Sequence, residues 1–250
     1  MKNRCIYSIA SVVSVCLSSL LVGYDAIAQT SASTSSMVLA AEALSSEASA
    51  VPIGFVPPTG DRAPQYTRAG GTRSSCDAIS ILPESGVGLT ASARPMLQAY
   101  FKSGVERVWL AVEAVDGSEY YTFAEDDYLN IPAGGGLVEV PLPKTLVELT
   151  PDKSYTWSMV LMCGDPLGPN TPVINGGIER VSSVPSAYED PTLSLVEKAA
   201  SYGEYGLWYD LISTLTLIRQ EQPDDLRAEQ NWEDVLRSVG LERIFEDAQS

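Results

Sequence analysis

The spacing of apolar residues changes several times along this chain, and the changes divide it. Residues 6–22 form an apolar run broken mainly by serines, and residues 29–76 show no hydrophobic period. Residues 79–181 alternate as strands do, and from about 186 onward apolar positions recur every three or four residues. Within the alternating part, 79–83 predicts a short strand and 89–101 a second, with Pro95 placing it at an edge or a bulge. The third, 105–115, carries Val108, Leu110 and Val112 on one face and Trp109, Ala111 and Glu113 on the other. Asp116-Gly117 is a hairpin turn that returns the chain as a fourth strand over 118–124. Strands follow at 137–143, 154–163 and 172–181, the last with a bulge at Gly176-Gly177. Short strands separated by turns predict a β-sandwich of about seven strands.

The helical period begins after Asp190-Pro191, which predicts an N-cap followed by proline at the first helical position. Two helices are expected, broken between Gly203 and Gly206, with Leu207, Leu211, Leu215 and Ile218 as an apolar stripe flanked by Trp208 and Ile212. Pro223 ends the second. A further helix places Trp232, Leu236 and Val239 inward and stops at Gly240. The fold class is therefore α+β, with strands first and helices second.

The first 28 residues have the form of a secretory leader. Lys2 and Arg4 precede the apolar run, and Ala26-Ile27-Ala28 is a small-x-small cleavage site. The run is short for a membrane span, and Val15 stands before Cys16 where a lipidation site needs a small residue. The chain is thus expected in the periplasm or outside the cell, cleaved near Ala28. Residues 29–58, rich in Ser and Ala, are expected to be a flexible linker. The sandwich then occupies 59–185 and the helical segment 186–250, packed on or beside it.

Charge and cysteine sharpen this picture. There are 16 basic and 32 acidic residues, for a net charge of −16, and loss of Lys2, Arg4 and Asp25 with the leader makes the chain one charge more acidic. Such a balance repels nucleic acid, so no nucleic-acid partner is expected, and no stretch after the leader is apolar enough to span a bilayer. Cys5 and Cys16 leave with the leader. Cys76 and Cys163 remain, an even pair in an oxidising compartment, and a disulfide between them is expected. On the chain-entropy argument it contributes roughly 4–5 kcal/mol.

Several blocks taken in order, GDRAP and GGTRSSC, LPESGVGLTASARP, YTWSMVLMCGDP, GGIERV and YGLWYDLISTL, resemble a family called domain of unknown function 928, found mainly in cyanobacteria. They run from about residue 59 to 220. The resemblance implies an exported protein of unknown activity and carries over no catalytic residues.

The residue inventory excludes more chemistry than it suggests. There is no histidine, which removes Ser-His-Asp and Cys-His catalysis and histidine-ligated metal sites. No cofactor or metal site is expected. Glu125, Asp126 and Asp127 lack the alternating spacing of a calcium loop and read as a solvated acidic turn. Gly134-Gly135-Gly136 has no Lys-Ser or Lys-Thr and is a turn. The unpatterned segment 59–76 carries Arg62, Arg68 and Arg73 and ends at Cys76, as a tethered strap would. Arg62, Arg73 and Arg180 are candidate contacts for a carboxylate-bearing partner, with internal ion pairing as the plainer alternative. Trp208 and Asp210 could frame a sugar or peptide platform, against the plainer reading that Trp208 packs the helix and Asp210 pairs locally. The leading expectation is a non-enzymatic module that binds another exported protein or an envelope component. The alternatives are a hydrolase of envelope glycans or peptides working through two carboxylates, and a calcium-stabilised structural protein.

Overall fold

The structure, a computed structural model, describes residues 52–59, 76–124, 128–164 and 171–247. Arg62, Arg68 and Arg73, the leader, most of the linker and Glu125, Asp126 and Asp127 lie outside the described residues. Nine strands occur among the described residues: β1 (Ala78–Ser80), β2 (Val87–Thr90), β3 (Leu97–Phe101), β4 (Arg107–Ala114), β5 (Tyr120–Thr122), β6 (Leu129–Asn130), β7 (Gly136–Val140), β8 (Lys153–Met162) and β9 (Val173–Arg180). They make two sheets, one ordered β1-β3-β7 and one ordered β2-β9-β8-β4-β5 with β6 also on β4. A 3-10 turn at Ser186–Tyr188 leads into four helices: α1 (Leu195–Glu204), α2 (Trp208–Glu221), α3 (Leu226–Ser238) and α4 (Arg243–Asp247).

The α+β class and the strand-then-helix order are as expected, but a clear seven-stranded sandwich is not what forms. The physical reason lies in 89–101. That stretch is not one strand: Ser92–Pro95 interrupts it, so β2 goes to the larger sheet and β3 to the smaller. Pro95 sits in the connection, where its missing N–H interrupts no ladder. The larger sheet is antiparallel except at its edge, where β2 pairs β9 in parallel. Its core face follows from alternation. Val108, Leu110, Val112 and Ala114 of β4 lie opposite Leu161, Met159, Trp157 and Tyr155 of β8, and all eight are buried.

The expected bulge at Gly176-Gly177 is absent, because β8 and β9 keep one register from Lys153↔Arg180 to Val160↔Val173. Gly176 is there for space. A Cβ on it would collide with Leu82 and with the indole of Trp157 directly opposite. Gly88 of β2 is bare for a similar reason: a Cβ would come within 2.6 Å of the Tyr209 ring and 3.0 Å of Trp208.

The helices begin and end by local chemistry. Asp190 does not cap α1. Its carboxylate accepts from the Thr192 N–H and hydroxyl, and Ser194 caps instead, in a reciprocal capping box with Glu197. Gly206, at φ +70°, turns the chain from α1 into α2, a conformation glycine adopts without strain. Asp225 caps α3 through the Arg227 N–H. Residues 52–58, read from sequence as part of the linker, pack against the helices: Val56 N–H donates to the Gly203 carbonyl at 3.0 Å, and Phe55 meets Trp208 edge-on at 4.8 Å. Ile53 is buried, and apolar Ile53 and Phe55 explain the docking.

Helix α2 couples the two sheets. At its start, the Tyr209 hydroxyl accepts from the Trp157 indole N–H at 2.9 Å and donates to the Gly177 carbonyl at 2.9 Å. Trp208 donates its indole N–H to the Ile81 carbonyl at 2.8 Å. Two turns on, buried Thr216 accepts from the Gln98 amide of β3 at 3.0 Å. The same amide reaches Glu139 of β7 at 3.1 Å. On the other side, Cys76 ahead of β1 and Cys163 after β8 form a disulfide, Cα to Cα 5.9 Å, joining the start of one sheet to the end of a strand in the other.

Two outcomes follow from these couplings. Thiol labelling of the denatured, non-reduced protein after leader removal should detect no free cysteine, and reduction should lower the melting temperature by an amount matching a few kcal/mol. Replacing Tyr209 by Phe keeps the ring but strands the Trp157 N–H and removes the hydroxyl's bond to the Gly177 carbonyl. Denaturant unfolding should show a loss of roughly 2–3 kcal/mol, and a loss below about 0.5 kcal/mol would mean that the hydroxyl bridge does not couple helix to sheet.

Candidate functional site

The turn at Gly206 places Trp208, Tyr209 and Asp210 in succession, and the helix sends them in different directions. Trp208 is 0% exposed, so it offers no face to a ligand and serves packing alone. Tyr209 is consumed by the bridge just described. Asp210, one residue on, leans over the turn that follows β2. Its Oδ2 accepts from the Ala91 N–H at 3.0 Å, the Thr90 hydroxyl also acts on it, and the Thr90 hydroxyl oxygen in turn accepts from the Ser92 N–H at 3.0 Å. This explains why β2 stops where it does: the backbone amide after Thr90 turns toward a carboxylate instead of a neighbouring strand.

Asp210 forms part of the wall of an open cleft of about 410 Å³. Tyr188 from the 3-10 turn and Tyr202 from α1 stand beside it, their ring centres 5.7 Å apart and tilted by 53°. Ser92, Ser213 and Thr214 add hydroxyls, of which Thr214 is committed to the Asp210 backbone carbonyl at 2.7 Å. Among the described residues lining the cleft, Asp210 is the one acid. Arg94 also lines it, but its guanidinium donates to the carbonyls of Val147, Leu142 and Pro143.

Electrostatics follow from this enclosure. Burial pushes the Asp210 carboxyl up to about 6, against the pull of the Ala91 N–H and the Thr90 hydroxyl. The largest influences on it are this burial and the neutral donors beside it. Burial, and then the nearby Asp210 charge, raise the Tyr188 hydroxyl to about 12, and the same causes raise Tyr202. Both tyrosines therefore remain neutral donors at physiological pH.

The remaining residues singled out from sequence fall elsewhere. Arg180 ends β9 with its side chain 17% exposed; its Nη1 donates to the Leu149 carbonyl and lies 3.6 Å from Glu148. That contact with Glu148 is an internal ion pair, and among the described residues the Arg180 Nε is buried without a hydrogen-bond partner. Arg62 and Arg73 lie outside the described residues. The site thus assembles Asp210 with Tyr188, Tyr202 and Ser92, three residues that sequence reasoning passed over. No local spacing marks them, because they come from three separate segments.

The described residues thus form a mixed α+β fold with two sheets, C-terminal helices and a disulfide. The sequence profile described as Domain of Unknown Function (DUF928) matches residues 63–248, and the chain belongs to that family. No curated protein and no solved structure matches it.

The raised Asp210 value has a stability consequence with a definite sign. The folded state holds the proton more tightly than the unfolded chain, so the group's contribution is greatest below about pH 4 and is lost as pH rises to about 6. Thermal melts of the wild type and Asp210→Asn from pH 4 to pH 7 should therefore diverge. The wild type should lose up to about 3 kcal/mol relative to the variant across that range. A difference that stays constant would show that the carboxyl titrates as an ordinary surface acid.

Proposed function

We propose that this chain is an exported, non-enzymatic binding module whose ligand seat is the cleft beside Asp210. One observation carries the reading: a partly buried carboxylate, held only by neutral donors, stands in the wall of an open cavity between two tyrosines. Cavities of roughly 300–1,000 Å³ with a few convergent polar groups are the usual form of small-molecule sites, and this one falls toward the lower end of that range. Export is supported by the leader pattern at 1–28 and fits the Cys76–Cys163 disulfide. Binding to an envelope component follows from export. Arg62 and Arg73 are a second proposed contact, on sequence grounds alone.

Binding is favoured over hydrolysis by the cleft's acid content. A glycan hydrolase of the usual kind works with two carboxylates flanking the bond, and here Asp210 is the single acid among the described lining residues.

The test is a solute screen on the protein lacking residues 1–28, by amide chemical-shift mapping with monosaccharides, amino acids, polyols and small amines. Shifts that saturate and cluster at Ser92, Tyr202, Asp210 and Ser213 are expected for at least one class. Saturable binding that maps only to other surfaces would move the seat away from the cleft. For export, the N-terminus of the secreted chain should be Gln29.

A further inference from the structure

We propose that the cleft beside Asp210 is a site for an organic ammonium ion, with the Asp210 carboxylate as counter-charge and the Tyr188 and Tyr202 rings as walls. This rests on the reading of the cleft as the ligand seat and adds the chemistry of the guest.

Asp210 accepts a hydrogen bond from the Ala91 N–H and is held by the Thr90 hydroxyl. These donors satisfy its lone pairs but are neutral, so at neutral pH the cleft wall retains a negative charge. Burying such a charge without a cation is costly. The two nearby cations do not supply one. Arg94 is turned to the carbonyls of Leu142, Pro143 and Val147. Arg180, close enough to act on Tyr188, is turned to Leu149 and Glu148. A neutral sugar would leave the Asp210 charge uncompensated, and an anion would meet repulsion from it. A cationic guest offsets it.

A cation over an aromatic face gains from the ring's negative quadrupole, more so where water is excluded, and aromatic walls are the usual way to hold alkylated ammonium groups. Tyr188 is half-buried and Tyr202 buried, with both hydroxyls kept protonated. The two rings are tilted by 53° at 5.7 Å and not stacked flat, and both line the cleft with Asp210. An alkylammonium head fits such a tilted pair better than a planar guest, which needs one open ring face. The hydroxyl of Ser213 lines the same cleft and suits a donor or acceptor on the guest's tail.

The probes are choline, tetramethylammonium and n-butylammonium. The control is 3,3-dimethylbutan-1-ol, which has the shape of choline without its charge. Calorimetry and shift mapping at pH 7.5 use the protein after leader removal. At least one ammonium probe should bind at the cleft, with the neutral alcohol at least tenfold weaker. Asp210→Asn and Tyr188→Ala should each weaken binding tenfold or more, while Tyr188→Phe, which keeps the ring, should stay within about threefold. Melting curves establish that each variant is folded, and the Tyr188 pair reports even if Asp210→Asn is not. Affinity should also fall as pH drops below about 6, where Asp210 takes up its proton. Equal binding of alcohol and choline, or full affinity in Asp210→Asn, overturns the ammonium assignment. If only neutral solutes saturate the cleft, the assignment fails and the cleft remains the seat. If no solute of any class shifts it, both fail.

Discussion

The arrangement of this protein depends on one hydroxyl. Where α2 meets the larger sheet, a buried indole N–H from β8 needs a partner or costs stability, and a carbonyl of β9 stands within reach of the same hydroxyl. The Tyr209 hydroxyl can accept and donate at once, so a single side chain satisfies both. The surrounding sequence follows from making room for it. Gly88 and Gly176 carry no side chain because Trp208, Tyr209 and Trp157 occupy the space above them. With Tyr209 fixed there, the helical turn leaves Asp210 over Ala91 and Trp208 under Phe55. Packing and cleft are thus one constraint: the carboxylate reaches the cavity wall because its neighbour is locked to the sheet.

The disulfide and the helix act on opposite needs. Cys76, ahead of β1, and Cys163, just after β8, are joined across 87 residues of chain, which restricts the unfolded ensemble. Helix α2 instead contributes native contacts, with Tyr209 at one sheet and Thr216 at the other. Two small sheets with short edges such as β1 and β6 would bury little between themselves. The helix and the docked segment 52–58 complete the apolar cluster that runs through both.

How much of this was legible in the sequence depended on whether the deciding contact was local. The strict alternation of 105–115 and 154–163 marked β4 and β8, and Asp116-Gly117 marked their hairpin neighbour β5, with Gly117 at φ +69°. Cysteine parity marked the disulfide. The division of 89–101 was hidden because the group that ends β2 is Asp210, 119 residues away from the amide it accepts. The start of α1 was misplaced for a different reason: Asp190 and Ser194 are both good N-caps, and only the reciprocal bond to Glu197 favours Ser194. Gly176-Gly177 resembled a bulge because sequence shows missing side chains but not the tryptophan that requires them to be missing. For the site, Asp210 and Trp208 stood out as a pair on the helix, yet they face different surroundings. Tyr188, Tyr202 and Ser92 joined Asp210 only through tertiary structure.

The chemistry of Asp210 separates what packing requires from what it does not. Holding the turn after β2 takes an acceptor for the Ala91 amide and the Thr90 hydroxyl, and an uncharged carbonyl oxygen can accept hydrogen bonds as well. A carboxylate adds a charge that burial opposes, as its raised value shows. If fastening the turn were its whole role, the charge would be a cost with no return, and the surrounding arginines would be better turned toward it than toward backbone carbonyls. Their guanidinium groups are instead held by residues 142–149, while Asp210 lines the cleft together with the two tyrosines. That separation of cations from the one acid of the cleft is what makes an incoming positive charge the natural complement of this site.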